Sequence, residues 1–280
     1  MSSIYKCPVC GQELKKDEKV YVCDLKHSYD IAKQGYVNLL LANQKNSKSP
    51  GDSKEMVENR RYFLEQGYYD RLSDQLNEFI LKSIQDSTHP TSILDLGCGE
   101  GFYAHKLLNF LNKSQPHYEA RIWGIDISKP AIQMAPKKDA DIQFCIGSNF
   151  ALPYMNESFD VVFSIFAPFD PEELMRVLKP GGKIIIVRPG PEHLKELASL
   201  IYEKFELQGD SSNVAKNLKI EPIQTFEVKY GIHLKNSLDI ERLIGMTPYF
   251  WTLKEEKKLA LAKLPELSCT ADFQMLVFRR

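Results

Sequence analysis

The sequence predicts an α/β protein: a doubly wound, mostly parallel seven-stranded sheet preceded by a small zinc-ribbon-like unit. Three observations carry this expectation. From Ser92 onward, short apolar runs of strand length alternate with helical stretches, the pattern of successive βαβ units. One of these runs, Ser92-Ile93-Leu94-Asp95-Leu96, passes straight into Gly97-Cys98-Gly99-Glu100-Gly101. Three of the six cysteines, Cys7, Cys10 and Cys23, crowd into the first 23 residues, with His27 close behind.

The N-terminal segment comes first. Cys7-Pro8-Val9-Cys10 is followed by twelve residues, then by Cys23 and, after three intervening residues, by His27. Zinc takes four nitrogen or sulfur ligands in a tetrahedron, and this spacing delivers four. Glu13 to Val22 can form a hairpin turning at Lys16-Asp17-Glu18, which brings Cys23 and His27 back to the first pair. A redox CxxC would open a helix inside a βαβ unit, and Gly11 with the hairpin pattern argues against that. One structural Zn²⁺ is therefore expected, standing in for a core too small to form. Cys98, Cys145 and Cys269 read as reduced thiols. Eight lysines face five acidic residues in the first fifty, which suits contact with phosphates. Tyr5, Tyr21, Tyr29 and Tyr36 either stack on bases or pack the unit against its neighbour, and packing is expected for at least two.

Asn43 to Ser53 is polar, holds Pro50-Gly51 and ends in Asp52 and Ser53, both good N-caps for a helix from Glu55 to Glu65. A second helix is expected from Tyr69 to Ile84, where Leu72, Leu76, Phe79 and Ile80 recur at helical spacing. Lys45, Lys48, Arg60 and Arg61 either meet RNA or form a solvated face.

In the glycine-rich segment, a strand ends beside Asp95, turns through Gly97 and Gly99, and opens a helix near Phe102. The glycines let backbone approach a ligand, and the helix N-terminus offers free N–H groups. A second strand, Ile122 to Ile125, ends in Asp126, 27 residues after Gly99, at a position suited to a ribose diol. A dinucleotide site needs G-x-G-x-x-G and room for a pyrophosphate. Here the third glycine arrives one position early, and Asp95 would repel a diphosphate. A carboxylate there suits an ammonium group instead. Ile142–Ile146, followed by Gly147-Ser148-Asn149, gives a third strand with Asn149 as an adenine contact. Phe159–Ile165, Ile184–Val187 after Leu178-Lys179-Pro180-Gly181-Gly182, Phe226–Leu234 and Phe273–Phe278 complete seven strands. Ser211-Ser212-Asn213 reads as a loop.

DLGCGEG resembles the glycine turn of class I S-adenosylmethionine-dependent methyltransferases. Along nearly its whole length the chain is similar to the RlmA-type 23S ribosomal RNA guanine-N1 methyltransferases. The similarity lies in CPVC with Cys23 and His27, DIAKQGYVNLL (30–40), PGDSKEM (50–56), DLGCGEG, RPGPEHL (188–194) and MTPYFW (246–251). The resemblance implies transfer of a methyl group from S-adenosylmethionine to N1 of a guanine in a 23S rRNA hairpin. It also implies zinc on Cys7, Cys10, Cys23 and His27, and cofactor contacts at Tyr69, Gly99, Glu100 and His193. Asp95, Gly97 and Asp126 are added from the charge and turn arguments. The implied division is a zinc-binding RNA-recognition module at 1–42, a linker and helix at 43–68, and the methyltransferase domain at 69–280, with a homodimer as the implied assembly.

Guanine N1 is protonated when neutral, so a base must take its proton. The loop Phe166-Ala167-Pro168-Phe169-Asp170 is expected to supply it from Asp170, with a Phe for stacking. Asp170 also reads as the N-cap of a helix from Pro171 to Leu178. The aromatic cluster at 249–251 either lines the guanine pocket or packs. Two other functions stay open: a small-molecule methyltransferase with the zinc unit as a lid, and an RNA-binding protein with a vestigial cofactor site. A formal charge of −1 excludes recognition of nucleic acid by overall charge. No run approaches the roughly 18 apolar residues of a membrane span, so a cytoplasmic protein is expected.

Overall fold

The computed structural model describes residues 3–44, 47, 50–85, 89–115, 119–137, 141–201, 212–247, 253, 255–261 and 263–280. Lys45, Lys48, Ser211 and the aromatic cluster 249–251 lie outside the described residues. Among the described residues, no helix is long and apolar enough to cross a membrane.

Three short strands, β1 (Lys15–Asp17), β2 (Val20–Val22) and β3 (Ser28–Asp30), form an antiparallel N-terminal sheet. The hairpin turns at Glu18-Lys19, later than expected. Glu18 adopts φ 49°, and Asp17 stays in the strand opposite Val20. β4 (Val37–Asn38) then leaves this unit and joins the main sheet. Helix α1 (Lys54–Glu65) starts at Ser53, whose hydroxyl accepts the Met56 N–H, and α2 (Asp70–Ile84) follows. The cofactor fold continues with β5 (Thr91–Leu96), α3 (Phe102–Ser114), β6 (Ala120–Asp126), α4 (Lys129–Met134), β7 (Ile142–Ile146), β8 (Phe159–Ile165), α5 (Pro171–Val177) and β9 (Leu178–Pro189). It closes with α6 (Lys195–Ile201), α7 (Ser212–Leu218), β10 (Gln224–Leu234), α8 (Ser237–Gly245), α9 (Glu255–Leu261) and β11 (Leu267–Arg279). Ser212 and Asn213, expected in a loop, open α7, which buries Val214 and Leu218 on one face.

The strand order is β10-β11-β9-β8-β5-β6-β7-β4, and only β11 runs against its neighbours. The order reverses at β5 and β8, which opens a crevice at their carboxyl ends. The sheet has eight strands where seven were expected. The addition is β4, paired parallel to β7 through Val37–Cys145 and Asn38–Ile146. Helices cover both faces, so β5 reads as a buried run, with Ile93, Leu94 and Leu96 at 0% exposure.

The N-terminal unit is fastened to this sheet along its first residues too. Lys6 N–H donates to Pro153 O (2.9 Å) and Met155 N–H to Ile4 O (2.8 Å). Tyr5 stacks on Tyr154 at 5.4 Å and meets Tyr21 edge-on at 5.1 Å. Tyr5, Tyr21 and Tyr36 are buried, so three of the four module tyrosines pack. Tyr29 turns its hydroxyl to the Cys7 sulfur (3.4 Å).

Candidate functional site

The four zinc candidates converge. Cys7, Cys10, Cys23 and His27 bring one ligand atom each to within 4.8 Å of one another. Cys10 Sγ lies 3.6 Å from Cys23 Sγ, and His27 Nδ1 lies 3.6 and 3.3 Å from the sulfurs of Cys7 and Cys23. A Zn–S bond of about 2.3 Å makes the edge of a tetrahedron about 3.8 Å, and a nitrogen vertex shortens it. The residues therefore fit a zinc ion, with His27 turned by its Nδ1 toward the sulfurs and the Tyr29 hydroxyl beside Cys7. All six cysteines are free thiols, as expected for Cys98, Cys145 and Cys269.

The second site lies where β5 and β6 end. Gly97 N–H and Cys98 N–H both donate to Ile125 O, which folds the turn over the end of β6. Gly97 sits at φ 77°, and a Cβ there would stand 2.2 Å from the Ala167 methyl. Only glycine lets this turn and the loop after β8 share the space. Asp126 accepts the Gly99 N–H (2.8 Å) and the Ser128 N–H (2.7 Å). Glu100 is buried in the same turn.

Asp95 is 2% exposed, and its Oδ2 has no hydrogen-bond partner among the described residues. Burial, then the charge of Asp126, raises its carboxyl well above the carboxylate range. Burial likewise raises Asp126. The carboxylate has the Ala104 backbone N–H as a partner, but a buried carboxylate oxygen left without one is costly, and a ligand cation relieves the cost. The donor set thus fits a cofactor that carries ammonium and sulfonium charges.

The linker packs against the residues that follow β6. Gly51, at φ 80°, lies so close to Ile127 and Ser128 that a Cβ would meet the Ser128 nitrogen at 2.9 Å. The Ser128 hydroxyl donates to Asp52 O (2.7 Å), and Asp52 is ion-paired with Arg60. The Arg60 guanidinium reaches to 3.9 Å from the Cβ position of Gly99. A cavity of about 670 Å³ opens beside these residues, lined among others by Asn38, Gly51, Asp52, Ile127, Gln133 and Ile146. The roles of Asp52 and Arg60 were missed in the sequence. The sequence reads Asp52 as an N-cap and Arg60 as either meeting RNA or part of a solvated face, and nothing local shows that they fold onto the residues around the glycine turn.

Tyr69 and His193, 124 positions apart, share a buried hydrogen bond, hydroxyl to Nε2 at 3.3 Å. The Asp272 N–H donates to His193 Nδ1 (3.2 Å), which places the proton of the neutral ring on Nε2. His193 then donates to Tyr69 and leaves the tyrosine O–H free to turn to a ligand. Both rings pack on Phe273, at 4.9 and 4.8 Å. None of the eight residues expected to contact the cofactor lines the cavity, and Asn149 lies against the glycine turn, its amide nitrogen 3.3 Å from the Cβ position of Gly97. The same amide donates to Pro168 O (3.1 Å), tying the loop after β8 to the residues that follow β7. Asp170 lies in that loop and caps α5, with Oδ1 accepting from the Glu172 and Glu173 N–H groups.

Burial pushes the His193 ring down to about 4. The unfolded chain then binds this proton more readily, so stability is lost as pH falls from the ordinary histidine value of 6.5 toward 4. The expected slope from this residue reaches about 1.4 kcal/mol per pH unit inside that window. Denaturant unfolding at pH 7, 6 and 5 should show it in the parent and not in His193→Gln; equal slopes in the two proteins would refute the assignment.

Sequence comparisons agree with this geometry. The methyltransferase-domain family matches residues 87–240, and the RlmA N-terminal zinc-ribbon family matches residues 5–48. YxjB of Bacillus subtilis (strain 168), provisionally named a 23S rRNA (guanine-N1)-methyltransferase, is 29% identical over 287 residues, 98% of this chain and 96% of its own. The 23S rRNA (guanine(748)-N1)-methyltransferase of Streptomyces fradiae is 29% identical, covering 93% of this chain and 90% of its own. The malonyl-[acyl-carrier protein] O-methyltransferase of Halorhodospira halophila is 32% identical, over only 39% of this chain and 38% of its own. The chain belongs to the methyltransferase-domain family, and its zinc ribbon and full-length likeness place it among the S-adenosylmethionine-dependent enzymes of the RlmA type.

Proposed function

We propose that this enzyme methylates N1 of a guanine in a hairpin of 23S rRNA. The observation that carries the reading is the build of the ribbon into the cofactor fold. Its exit strand β4 lies in the main sheet, and Asn38 at its end lines the cavity together with Ile127, the residue after Asp126. Likeness to the rRNA enzymes spans both parts, whereas likeness to the carrier-protein enzyme covers 39% of the chain. Lys16, Lys19, Lys26 and Lys33 of the ribbon are exposed, and Lys15 pairs with Asp24 at the surface, which supports contact with phosphates.

Bound S-adenosylmethionine supplies an already activated methyl group, so the protein's work is chiefly positioning. In this reading Asp95 receives the ammonium, Asp126 the ribose hydroxyls, and Arg60 with the Tyr69 hydroxyl the carboxylate. Asp170 is the proposed base: its Oδ1 is committed to the cap, and its second oxygen takes the N1 proton.

The test is incubation with methyl-labelled cofactor and large-subunit RNA, followed by mass mapping of the modified nucleotide. One 1-methylguanosine in a 23S hairpin is the expected result; label only in a small molecule would give the lid reading precedence. Asparagine caps helices about as well as aspartate, so Asp170→Asn keeps α5 while removing the base. Its turnover should fall about 10²- to 10⁴-fold, and unchanged turnover removes Asp170 from the chemistry.

A further inference from the structure

Phe166 is held in a conformation that folding alone does not favour. It lies at the end of β8 with φ 58°, a left-handed backbone that a bulky residue with a Cβ adopts only under constraint. Of the other non-glycine residues with positive φ among the described residues, Leu194 is buried and Glu18, Lys26, Glu157 and Lys219 are polar. Phe166 combines a strained backbone with a large apolar side chain left 44% exposed. The constraint is visible: its N–H donates to Val187 O (3.1 Å), and the next residue, Ala167, is wedged against Gly97. The ring rests on Phe273 with centroids 5.8 Å apart and planes 29° apart, and it sits 5.9 Å from the His193 ring. One face is therefore backed by protein. The ring stands next to His193, which bonds Tyr69, and through Ala167 next to the glycine turn. Phe169, the other aromatic residue of this loop, packs partly buried against the apolar cluster that holds Tyr5, Leu94 and Leu174 and offers no such face.

We infer that Phe166 is the stacking platform for the acceptor base, holding its plane beside the methyl donor. The inference rests on the RNA reading above and deepens it. Strained residues persist where the surrounding structure over-determines them, commonly at ligand clamps. A flat, half-open aromatic face at the edge of a cofactor pocket suits an unstacked purine, which loses its neighbours when it leaves the hairpin.

The test uses Phe166→Gly, Phe166→Leu and Phe166→Trp in the full-length zinc-loaded protein. Glycine removes the ring and relieves the backbone, leucine keeps apolar bulk without a π face, and tryptophan keeps the face. Each is assayed on whichever acceptor the parent methylates, large-subunit RNA or a panel of small molecules. Binding of S-adenosylhomocysteine and thermal unfolding are measured alongside. The expected result is a loss in kcat/KM for RNA of about 5- to 150-fold in the glycine and leucine variants, with tryptophan close to the parent. Affinity for S-adenosylhomocysteine should hold within about threefold, and the glycine variant should melt no lower than the leucine variant. A parent active on RNA with equally active glycine and leucine variants overturns the platform and leaves the RNA reading standing. A parent active only on a non-planar small molecule overturns both. A glycine variant that loses cofactor affinity and thermal stability together marks the ring as packing and overturns the inference.

Discussion

Cys23→Ser is expected to abolish stoichiometric zinc and to lower the melting temperature by about 10 °C or more, not merely to fray the first forty residues. β1, β2 and β3 have three residues each, and sheets that small do not stand on apolar burial alone. Metal binding is folding free energy in such units, about 10–16 kcal/mol for isolated zinc peptides. The effect spreads because the ribbon covers part of the main core. Tyr5, Leu14, Val37 and Leu39 are buried in one cluster with Leu94, Leu96, Ile125 and Cys145 of the sheet. If the ribbon opens, Tyr154 loses its stacking partner and β7 becomes an edge. A loss of about 4 kcal/mol in a chain of this size corresponds to roughly 8–16 °C. Metal analysis by mass spectrometry and calorimetric melting check it. A parent without zinc, or a variant melting within about 2 °C of the parent, would refute the account. The thiols outside the ribbon contrast with these ligands. Burial pushes Cys145 and Cys269 up to about 12, so neither is poised to react or to hold metal.

What the sequence showed of this protein was its local part. β5 with its glycine turn, the acid ending β6, the Ser53 cap and the C-x₂-C pair are each contained in about ten residues, and each stands where its pattern put it. What stayed hidden is non-local. β4 is two residues long, too short for any periodicity, and becomes a strand only because Cys145 and Ile146 offer an open edge more than a hundred positions away. The hairpin turn moved to Glu18-Lys19 because pairing of Asp17 with Val20 outweighed its turn preference. Arg60 looked like a surface cation. Its place above Gly99 follows from the close fit of Gly51 on Ser128, a contact between the linker and the residues after β6. Tyr69 and His193 were named only through family likeness. The hydrogen bond that joins them lies between the first turn of α2 and the loop after β9, and no spacing rule connects the two.

Asp95→Asn is expected to stabilise the ligand-free protein while weakening S-adenosylmethionine by about 30- to 5000-fold. The two signs have one cause. Without a ligand, Asp95 is buried, unpartnered at Oδ2 and close enough to Asp126 to feel its charge. Its raised folded value means that the folded chain holds the proton more tightly than the unfolded chain. Stability is therefore lost as pH rises from the ordinary carboxylate range through the raised value. An asparagine keeps the shape without the ionisable charge, which removes that loss. A bound ammonium reverses the balance: it favours the ionised carboxylate, so binding expels a proton and affinity climbs with pH until Asp95 is ionised in the free protein as well. Removing one partner of a buried charge pair costs about 2–5 kcal/mol, which sets the expected range. Titration calorimetry in two buffers of different ionisation enthalpy reads the expelled proton directly, and the asparagine variant should expel fewer. Ligand choice separates this from general damage to the pocket. S-adenosylhomocysteine keeps the ammonium and should weaken in parallel, whereas 5′-methylthioadenosine lacks it and should bind both proteins alike. Equal weakening of all three ligands would mean that Asp95 shapes the turn and leaves the ammonium to another group; unchanged affinity for all three would mean that the cofactor's charge lies elsewhere. Arg60 and Asp52 bear on the outcome because they set the charge facing Asp126 across Gly99. Asp126 already accepts two backbone N–H groups and Asp52 is paired with Arg60, so Asp95 Oδ2 is the carboxylate oxygen left to receive the cofactor's ammonium.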